Sequence, residues 1–197
     1  MKLRTIVTAA ALVAATAVPA LAQTWTLDPN HTRANFSARH MMVTTVRGDF
    51  HNVTGTVEYD PKDVTKSVVN VAIDTRTLDT KLEQRDSQLK GPDFLDVMKF
   101  PTMTFRSKRV EKAADGALRV IGDLTIRTVT REVVLDVDGP SPPIRDRNAQ
   151  VIGATATTKI NRKDFGMTWN RAVEAGGMLV GDEITITIDV QMRRPVT

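Results

Sequence analysis

Alternation of apolar and polar residues constrains this chain more than any other feature. Near the C-terminus, apolar side chains occupy every second position, at Ile184, Ile186, Ile188, Val190 and Met192. A period of two places one face of a strand against an apolar interior and the other face against water. Seven of the eight segments that read as strands share this pattern. The chain is therefore predicted to be all-β, as an eight-stranded antiparallel barrel or, as the alternative, a β-sandwich.

The order of the elements favours a meandering barrel with a short helical insert between strands 3 and 4. The apolar parity of the second strand shifts near 51–52, which predicts a bulge or bend there. Thr80 and Glu83 have the spacing of a helical capping box, and Gly91-Pro92 ends that helix. The eight strands are predicted at 32–42, 46–59, 69–73, 103–105, 118–126, 133–137, 152–160 and 184–192.

The first 22 residues have the features of a secretory signal peptide. Lys2 and Arg4 precede an apolar run at 6–18, and Ala20-Leu21-Ala22 fits the small-x-small cleavage pattern. The run is shorter than the roughly 20 residues that span a bilayer, although a retained membrane anchor is the alternative. We expect cleavage after Ala22, which leaves a single β-barrel domain at 23–197 with no further transmembrane helix.

Charge and cysteine content exclude several classes of function. Without Lys2 and Arg4, the chain carries 25 basic and 23 acidic residues, and the basic residues are dispersed. This distribution argues against nucleic acid as a partner. There is no cysteine, so thiol catalysis, disulfide exchange and iron–sulfur clusters are excluded.

The predicted inner faces carry unusually small side chains. Because an eight-stranded barrel is just wide enough to be filled by its own side chains or to hold one ligand, small inward residues favour a ligand cavity. The alternative is that large neighbours such as Phe36, Phe105 and Ile160 fill the space. The aliphatic faces predict a long apolar ligand, with its polar end at the barrel mouth. The small residues assigned to these faces are Ala34, Ala38, Ala72, Gly122, Ala154, Ala156 and Thr158.

Several stretches resemble the YceI-like proteins across essentially all of the chain after residue 22. They are Trp25-Thr26-Leu27-Asp28-Pro29-Asn30-His31-Thr32, the run from Arg85 to Asp96, Lys99 to Phe105, Gly122 to Arg127, Asp164 to Met167, and Gly181 to Ile184. One departure is Thr128, where the family usually has glycine, so the turn type of that hairpin stays open. The resemblance implies a lipocalin-like barrel, exported to the bacterial periplasm.

The resemblance also implies a lipid ligand: a polyisoprenoid, an isoprenoid quinone or a long fatty-acid amide. It implies lipid transport and a link to stress responses, with no established catalysis and no cofactor besides the bound lipid. The alternatives left open are an enzyme acting on an isoprenoid or acyl substrate and a stress-response structural protein. A transient contact with a membrane or delivery partner, and a homodimer, stay open. The residues expected to line the cavity are Phe36, Ala38, His40, Phe94, Phe105, Leu124, Ile126, Ala154, Ala156, Phe165, Met167, Trp169 and Ile186.

Polar residues give little support to catalysis or to a metal site. The spacing of His31, His40 and His51 matches no local metal motif, so no metal is predicted. We expect His31 to pair with Asp28 and His40 to face one end of the cavity. The segment from Phe165 to Trp169 is interpreted as a lid at the mouth or, equally, as a plug at the barrel floor.

Overall fold

Strands account for most of the computed structural model, which describes residues 23–113, 116–174 and 176–196. The predicted signal peptide at 1–22 lies outside these residues. One α-helix, α1 (Glu83–Lys90), is found within them. The described strands are β1 (Gln23–Leu27), β2 (Arg33–His40), β3 (Thr44–Phe50), β4 (Val53–Tyr59), β5 (Val68–Asp74), β6 (Thr102–Lys112), β7 (Leu118–Ile126), β8 (Val129–Asp138), β9 (Ile144–Asp146), β10 (Ala149–Asn161) and β11 (Val180–Pro195).

The strands close into the predicted eight-stranded antiparallel barrel, in which two of the eight strands are interrupted. β1 and β2 form one interrupted arm of a hairpin, and β3 and β4 form the other, because β1 pairs with β4 while β2 pairs with β3. β5, β6, β7, β8 and β10 follow in order, and β11 closes the barrel by pairing with β10 on one side and with both β1 and β2 on the other. Short β9 extends the wall beside β10 and was not predicted.

Both arms of the first hairpin break at residues that favour turns. Asn52 has a φ of 54°, which separates β3 from β4 at the bend that the parity shift predicted. In the other arm, Asp28 accepts a hydrogen bond from the Asn30 backbone N–H at 3.0 Å, and His31 Nδ1 lies 3.0 Å from its second carboxylate oxygen. Asp and Asn side chains stabilise such turns by bonding to nearby backbone. The break hid β1 from the sequence analysis, which started the first strand at residue 32.

The helical insert covers the upper edge of β3. Among the described strands, β3 pairs with β2 alone. On its other side, Asp49 and Asp79 exchange backbone hydrogen bonds of 3.0 Å. His51 N–H donates to Thr77 Oγ1 at 3.0 Å, which extends this seam. The insert therefore occupies the gap that the splayed hairpin leaves between β3 and β6. No helix in the described part of the chain is long and apolar enough to cross a membrane.

The capping box predicted for α1 is wrong. The helix begins at Glu83 with Leu82 at the N-cap, and no side chain caps it. Thr80 instead donates its backbone N–H and its hydroxyl to Asp86, and Arg85 donates to the Thr80 hydroxyl and carbonyl. A local positive φ of 62° at Lys81 turns the chain between Thr80 and the helix, so the predicted spacing no longer brings Thr80 to the first turn.

Candidate functional site

The inner faces of the strands enclose one long apolar cavity of about 580 Å³. The inward residues of β11 are Ile184, Ile186, Ile188, Val190 and Met192, as their alternation predicted. Those of β10 and β2 are also the predicted sets, with the small residues Ala34, Ala38, Ala154, Ala156 and Thr158 on the lining. The large inward side chains Phe36, Phe105 and Ile160 also line the cavity and do not fill it.

Two of the small residues assigned to the inner face contribute differently. Ala72 was placed inward wrongly: its neighbours Val71 and Ile73 line the cavity, so the period of two turns Ala72 to the outer face. Gly122 does not line the cavity either. A Cβ atom at Gly122 would lie 2.7 Å from the Phe105 ring and 2.3 Å from the Arg106 carbonyl oxygen.

Two aromatic rings occupy the space that a side chain would take at neighbouring glycines. The Phe105 ring occupies the space beside Gly122, and the Phe36 ring occupies the space beside Gly48, where a Cβ would lie 2.7 Å from two ring atoms. Phe36 also contacts Phe50, with ring centroids 5.6 Å apart. A side chain at either glycine would therefore have to displace a ring that lines the cavity.

The cavity opens at one end of the barrel. Four residues of its lining are exposed to solvent, and all lie where the end of β2 faces α1: Arg39, Leu82, Gln84 and Gln88. The connection after β5, the β7–β8 turn and the segment between β10 and β11 reach the same end. We call this end the mouth.

A buried arginine holds the connection between β10 and β11 over the rest of the mouth. Arg162 donates to the carbonyl oxygens of Gly181, Met167 and Trp169 and to the Asp182 carboxylate at 3.0 Å. These bonds place the Trp169 ring 5.5 Å from that of Phe94 in the insert. The segment from Phe165 to Trp169 therefore lies at the mouth, and the alternative of a floor plug is wrong.

The opposite end is closed. Half-buried Tyr59, Ser67, Leu118, Val137 and Pro140 line the cavity there. Beyond the lining, the Arg194 guanidinium lies over the buried Trp25 ring, 5.1 Å from its centroid. Gln150 Oε1 accepts a hydrogen bond from Arg194 Nε at 2.8 Å, which fixes this cap.

The structure brings almost all of the predicted site residues together. Phe165 is the exception: it is buried in the core beside the mouth and does not line the cavity. Whether the others contact a lipid stays a prediction. The lining residues are Phe36, Ala38, His40, Phe94, Phe105, Leu124, Ile126, Ala154, Ala156, Met167, Trp169 and Ile186.

The residues that α1 and its N-cap contribute to the mouth were not predicted. Leu82, Gln84, Arg85, Gln88 and Leu89 all line it. The helix has three to four residues per turn and is predominantly polar, so its inward face is not distinguished by an apolar stripe. Only the topology, which packs the insert against the splayed edge of β3, could have identified them.

Charge is confined to the mouth. Arg39, Arg85, Arg162 and His40 line the cavity at this end, and the lining formed by the described residues contains no carboxylate. Just outside, the ammonium of Lys163 is the main cause that lowers the pKa of the Asp182 carboxyl, with Arg162 adding to it. The mouth can therefore hold a neutral or negatively charged head group, while the rest of the lining is mostly apolar, with a few uncharged polar side chains such as Ser67 and Thr158.

The histidines take separate positions. His31 pairs with Asp28, and His40 lies at the mouth, as predicted. His51 Nε2 lies 3.2 Å from Asp49, and with Asp79 these groups offer three atoms within 4.8 Å of one another. The Lys81 ammonium already pairs with Asp79 and lowers the pKa of its carboxyl. The prediction that the chain holds no metal is not tested by this arrangement.

Comparison with known proteins identifies related chains. The YceI-like domain family matches residues 25–192. A UPF0312 protein of Staphylococcus aureus (strain MSSA476) is 35% identical over 162 residues, covering 81% of this chain and 91% of the relative.

Solved structures share the fold. The Campylobacter jejuni YCEI protein superposes with a TM-score of 0.68 at 26% identity, covering 80% of this chain and 90% of that chain. A polyisoprenoid binding domain from Saccharophagus degradans, implicated in plant cell wall breakdown, superposes with a TM-score of 0.63 at 14% identity. That likeness covers 89% of this chain and 99% of the other.

Proposed function

This chain belongs to the YceI-like family, and because its barrel encloses an apolar cavity, we propose that it binds one long apolar lipid there and carries it. The observation that carries the proposal is the cavity itself, whose lining includes the small residues Ala38, Ala154 and Ala156. A void of this size lined by apolar groups loses packing contacts unless a ligand fills it.

The volume restricts the ligand to a single chain. A water molecule occupies about 30 Å³ in the liquid and a methylene group is of similar size, so the cavity holds on the order of 20 carbon groups. This fits one isoprenoid or acyl chain with its head group at the mouth. A chain with more carbons would leave the excess outside the mouth. The polyisoprenoid-binding neighbour supports a polyisoprenoid as the ligand, and the family resemblance adds isoprenoid quinones and fatty-acid amides as candidates.

Binding is favoured over catalysis by the chemistry of the lining. General acid–base work needs a carboxylate or an equivalent group near the reacting atoms. Among the described residues, no carboxylate lines the cavity, and the one histidine that does, His40, lies at the mouth with no carboxylate of the lining to act with it. We therefore propose a carrier in which the lipid leaves unchanged.

The carrier is proposed to act in the periplasm after export. The support is the predicted signal peptide at 1–22, whose positive start, short apolar run and small-residue site precede the first strand directly. The intact mass of the exported protein should begin at Gln23. A full-length, membrane-retained product would contradict the proposed location.

Native mass spectrometry of the freshly purified protein, before and after organic extraction, tests the binding function. Wild type should carry an extractable lipid. Ala38→Trp should fill the cavity, stay folded by circular dichroism and lose the lipid, because the indole takes the volume of the ligand. Ala154→Trp, at another position of the lining, should give the same result.

Ala72→Trp is the matched control, because it adds the same side chain on the outer face of the barrel. It should retain the lipid. The proposal is contradicted if Ala38→Trp binds lipid as well as wild type or unfolds while Ala72→Trp does not. Recovery of a chemically altered lipid would favour the enzyme over the carrier.

A further inference from the structure

The tip of the β2–β3 hairpin combines two features that are costly for a soluble fold. Met41 and Met42 have φ values of 52° and 60°, and Val43 N–H donates to the His40 carbonyl at 3.0 Å. These features match a type I′ turn, whose central positions favour Asn-Gly because ordinary side chains strain the left-handed region. The chain instead places two methionines there, followed by valine.

These side chains are also exposed. Met42 is 58% exposed and Val43 is 75% exposed, and Met41 is 44% exposed. A strained turn with exposed apolar side chains is worse for folding and for solubility than Asn-Gly would be. Strain of this kind is a reason to look for a function at the tip.

The exposed apolar side chains cluster at the mouth. The described residues include ten large apolar side chains that are exposed, and six of them lie at this end of the barrel. Leu82 belongs to both the cluster and the cavity lining. The exposed apolar set therefore includes a residue of the entrance that a lipid must pass. The six, which we call the mouth patch, are Met41, Met42, Val43, Leu82, Met98 and Met178.

The hairpin tip is held in place rather than free. Met41 N–H donates to the Leu179 carbonyl at 2.8 Å, and Arg39 Nη2 donates to the Met42 carbonyl at 2.6 Å. The Met42 side chain packs on Gly177, where a Cβ would lie 2.4 Å from its terminal methyl carbon. These contacts with Arg39 and with the β10–β11 connection hold the tip in place.

Charge around the tip fits a surface of lipid phosphates. From Arg39 to Gly48 the chain carries two arginines and one histidine but no carboxylate. Cations a few residues behind an apolar tip would lie at the level of the head groups when the tip enters the acyl region. In the neighbouring segment Glu174 is exposed, and Asp182, close to the β2 end, pairs with Arg162 and Lys163.

We propose that the mouth patch docks onto a phospholipid bilayer, so that the lipid passes directly between the membrane and the cavity. This inference rests on the proposed lipid-binding function. The Met41-Met42 tip enters the acyl region, Arg39 and Arg47 contact phosphates, and the opening between β2 and α1 faces the membrane. An apolar ligand then never crosses water.

The test replaces the tip by the residues that the turn itself favours. Met41→Asn with Met42→Gly should relieve the strain and raise the melting temperature. The same variant should co-sediment with phosphatidylethanolamine–phosphatidylglycerol vesicles at least about tenfold more weakly than wild type, a loss of about 1.4 kcal/mol. Transfer of a fluorescent fatty acid from those vesicles should slow to match.

A loading assay separates this inference from the proposed function. The same fatty acid, added from ethanol without vesicles, should load the tip variant and wild type equally, whereas Ala38→Trp should load in neither assay. Docking is overturned if the tip variant sediments and transfers like wild type, or if its loading from ethanol falls equally. A wild-type dimer that the tip substitutions dissociate would assign the patch to a second copy of the chain instead.

Discussion

At the scale of residues, the absence of a Cβ atom at two glycines leaves room for aromatic rings of the cavity lining. Glycine beneath an aromatic ring is the recurrent device, because the ring then lies in the space of the missing side chain. At Gly122 the fit is tight on two sides, against the Phe105 ring and the Arg106 carbonyl oxygen. Gly153, in β10, contrasts with it: a Cβ there would meet only the Val190 carbonyl oxygen, at an ordinary 3.5 Å.

Gly122→Ala should therefore destabilise the fold by about 1–3 kcal/mol, the usual cost of overpacking. The added methyl group must displace either the strand β6 backbone or the Phe105 ring, which would move into the lumen. Gly153→Ala is the control and should be neutral or slightly stabilising, since glycine within a strand is unfavourable by itself. Urea unfolding of both variants measures the difference, and equal stabilities would contradict the role given to Gly122.

At the scale of elements, the strands were predictable and the insert was not. Alternation along β10 and β11 identified the inward residues at 152–160 and 184–192, because a strand buried on one face alternates. Val180, which precedes a register shift in β11, was missed. Ala72 was misplaced although its own neighbours Val71 and Ile73 show the correct parity. The insert has no comparable signal, since α1 is short and polar. Its position depends on hydrogen bonds from Thr80 to Asp86 and from Arg85 to Thr80, whose spacings of six and five residues match no helix or capping motif.

The hydrogen bonds to Asp86 should hold the start of α1. Asp86→Ala leaves the backbone N–H and hydroxyl of buried Thr80 without their partner, which should cost about 1–3 kcal/mol. Glu83→Ala removes the residue that the sequence assigned to a capping box and should change stability by less than about 0.5 kcal/mol, because that side chain is exposed. Thermal or urea unfolding distinguishes the two, and a larger loss in Glu83→Ala would restore the capping box.

The turn between β1 and β2 should make the fold sensitive to acid. Burial opposes ionisation of Asp28, but the hydrogen bonds from His31 and Asn30 and the nearby Arg193 outweigh it and lower the pKa of its carboxyl. A lowered pKa contributes stability above the ordinary aspartate value of about 3.9, and that contribution disappears as the pH falls through the folded value.

Asp28→Asn should therefore reduce the loss of unfolding free energy on acidification below about pH 4. It should also lower stability near neutral pH, where the wild-type carboxylate is charged. Asp164→Asn, a change at an exposed carboxyl near the mouth, is the control for the loss of one negative charge. Urea unfolding across this range measures the profiles, and parallel curves for wild type and Asp28→Asn would contradict the assignment.

For the whole molecule, the cavity follows from the sequence while its entrance does not. Small residues on alternating positions predicted an open interior, since the strand period assigns faces without reference to topology. The mouth arises where β2, α1 and the β10–β11 connection meet, and no local pattern brings those segments together. The same reason explains why Leu82 and Gln88 were missed while Phe36 and Ile186 were found.

The closed floor and fixed volume predict a limit on ligand length. Each methylene group that enters the barrel should strengthen binding by about 0.8 kcal/mol, or about fourfold in affinity. Once on the order of 20 carbon groups fill the cavity, further carbons remain outside the mouth and add little. Affinities of saturated fatty acids of increasing length, measured by displacement of a fluorescent analogue, should therefore rise steeply and then level off. A plateau at much shorter chains would mean that the lumen is partly filled by protein, and a rise without a plateau would mean that the floor at Trp25 and Arg194 opens.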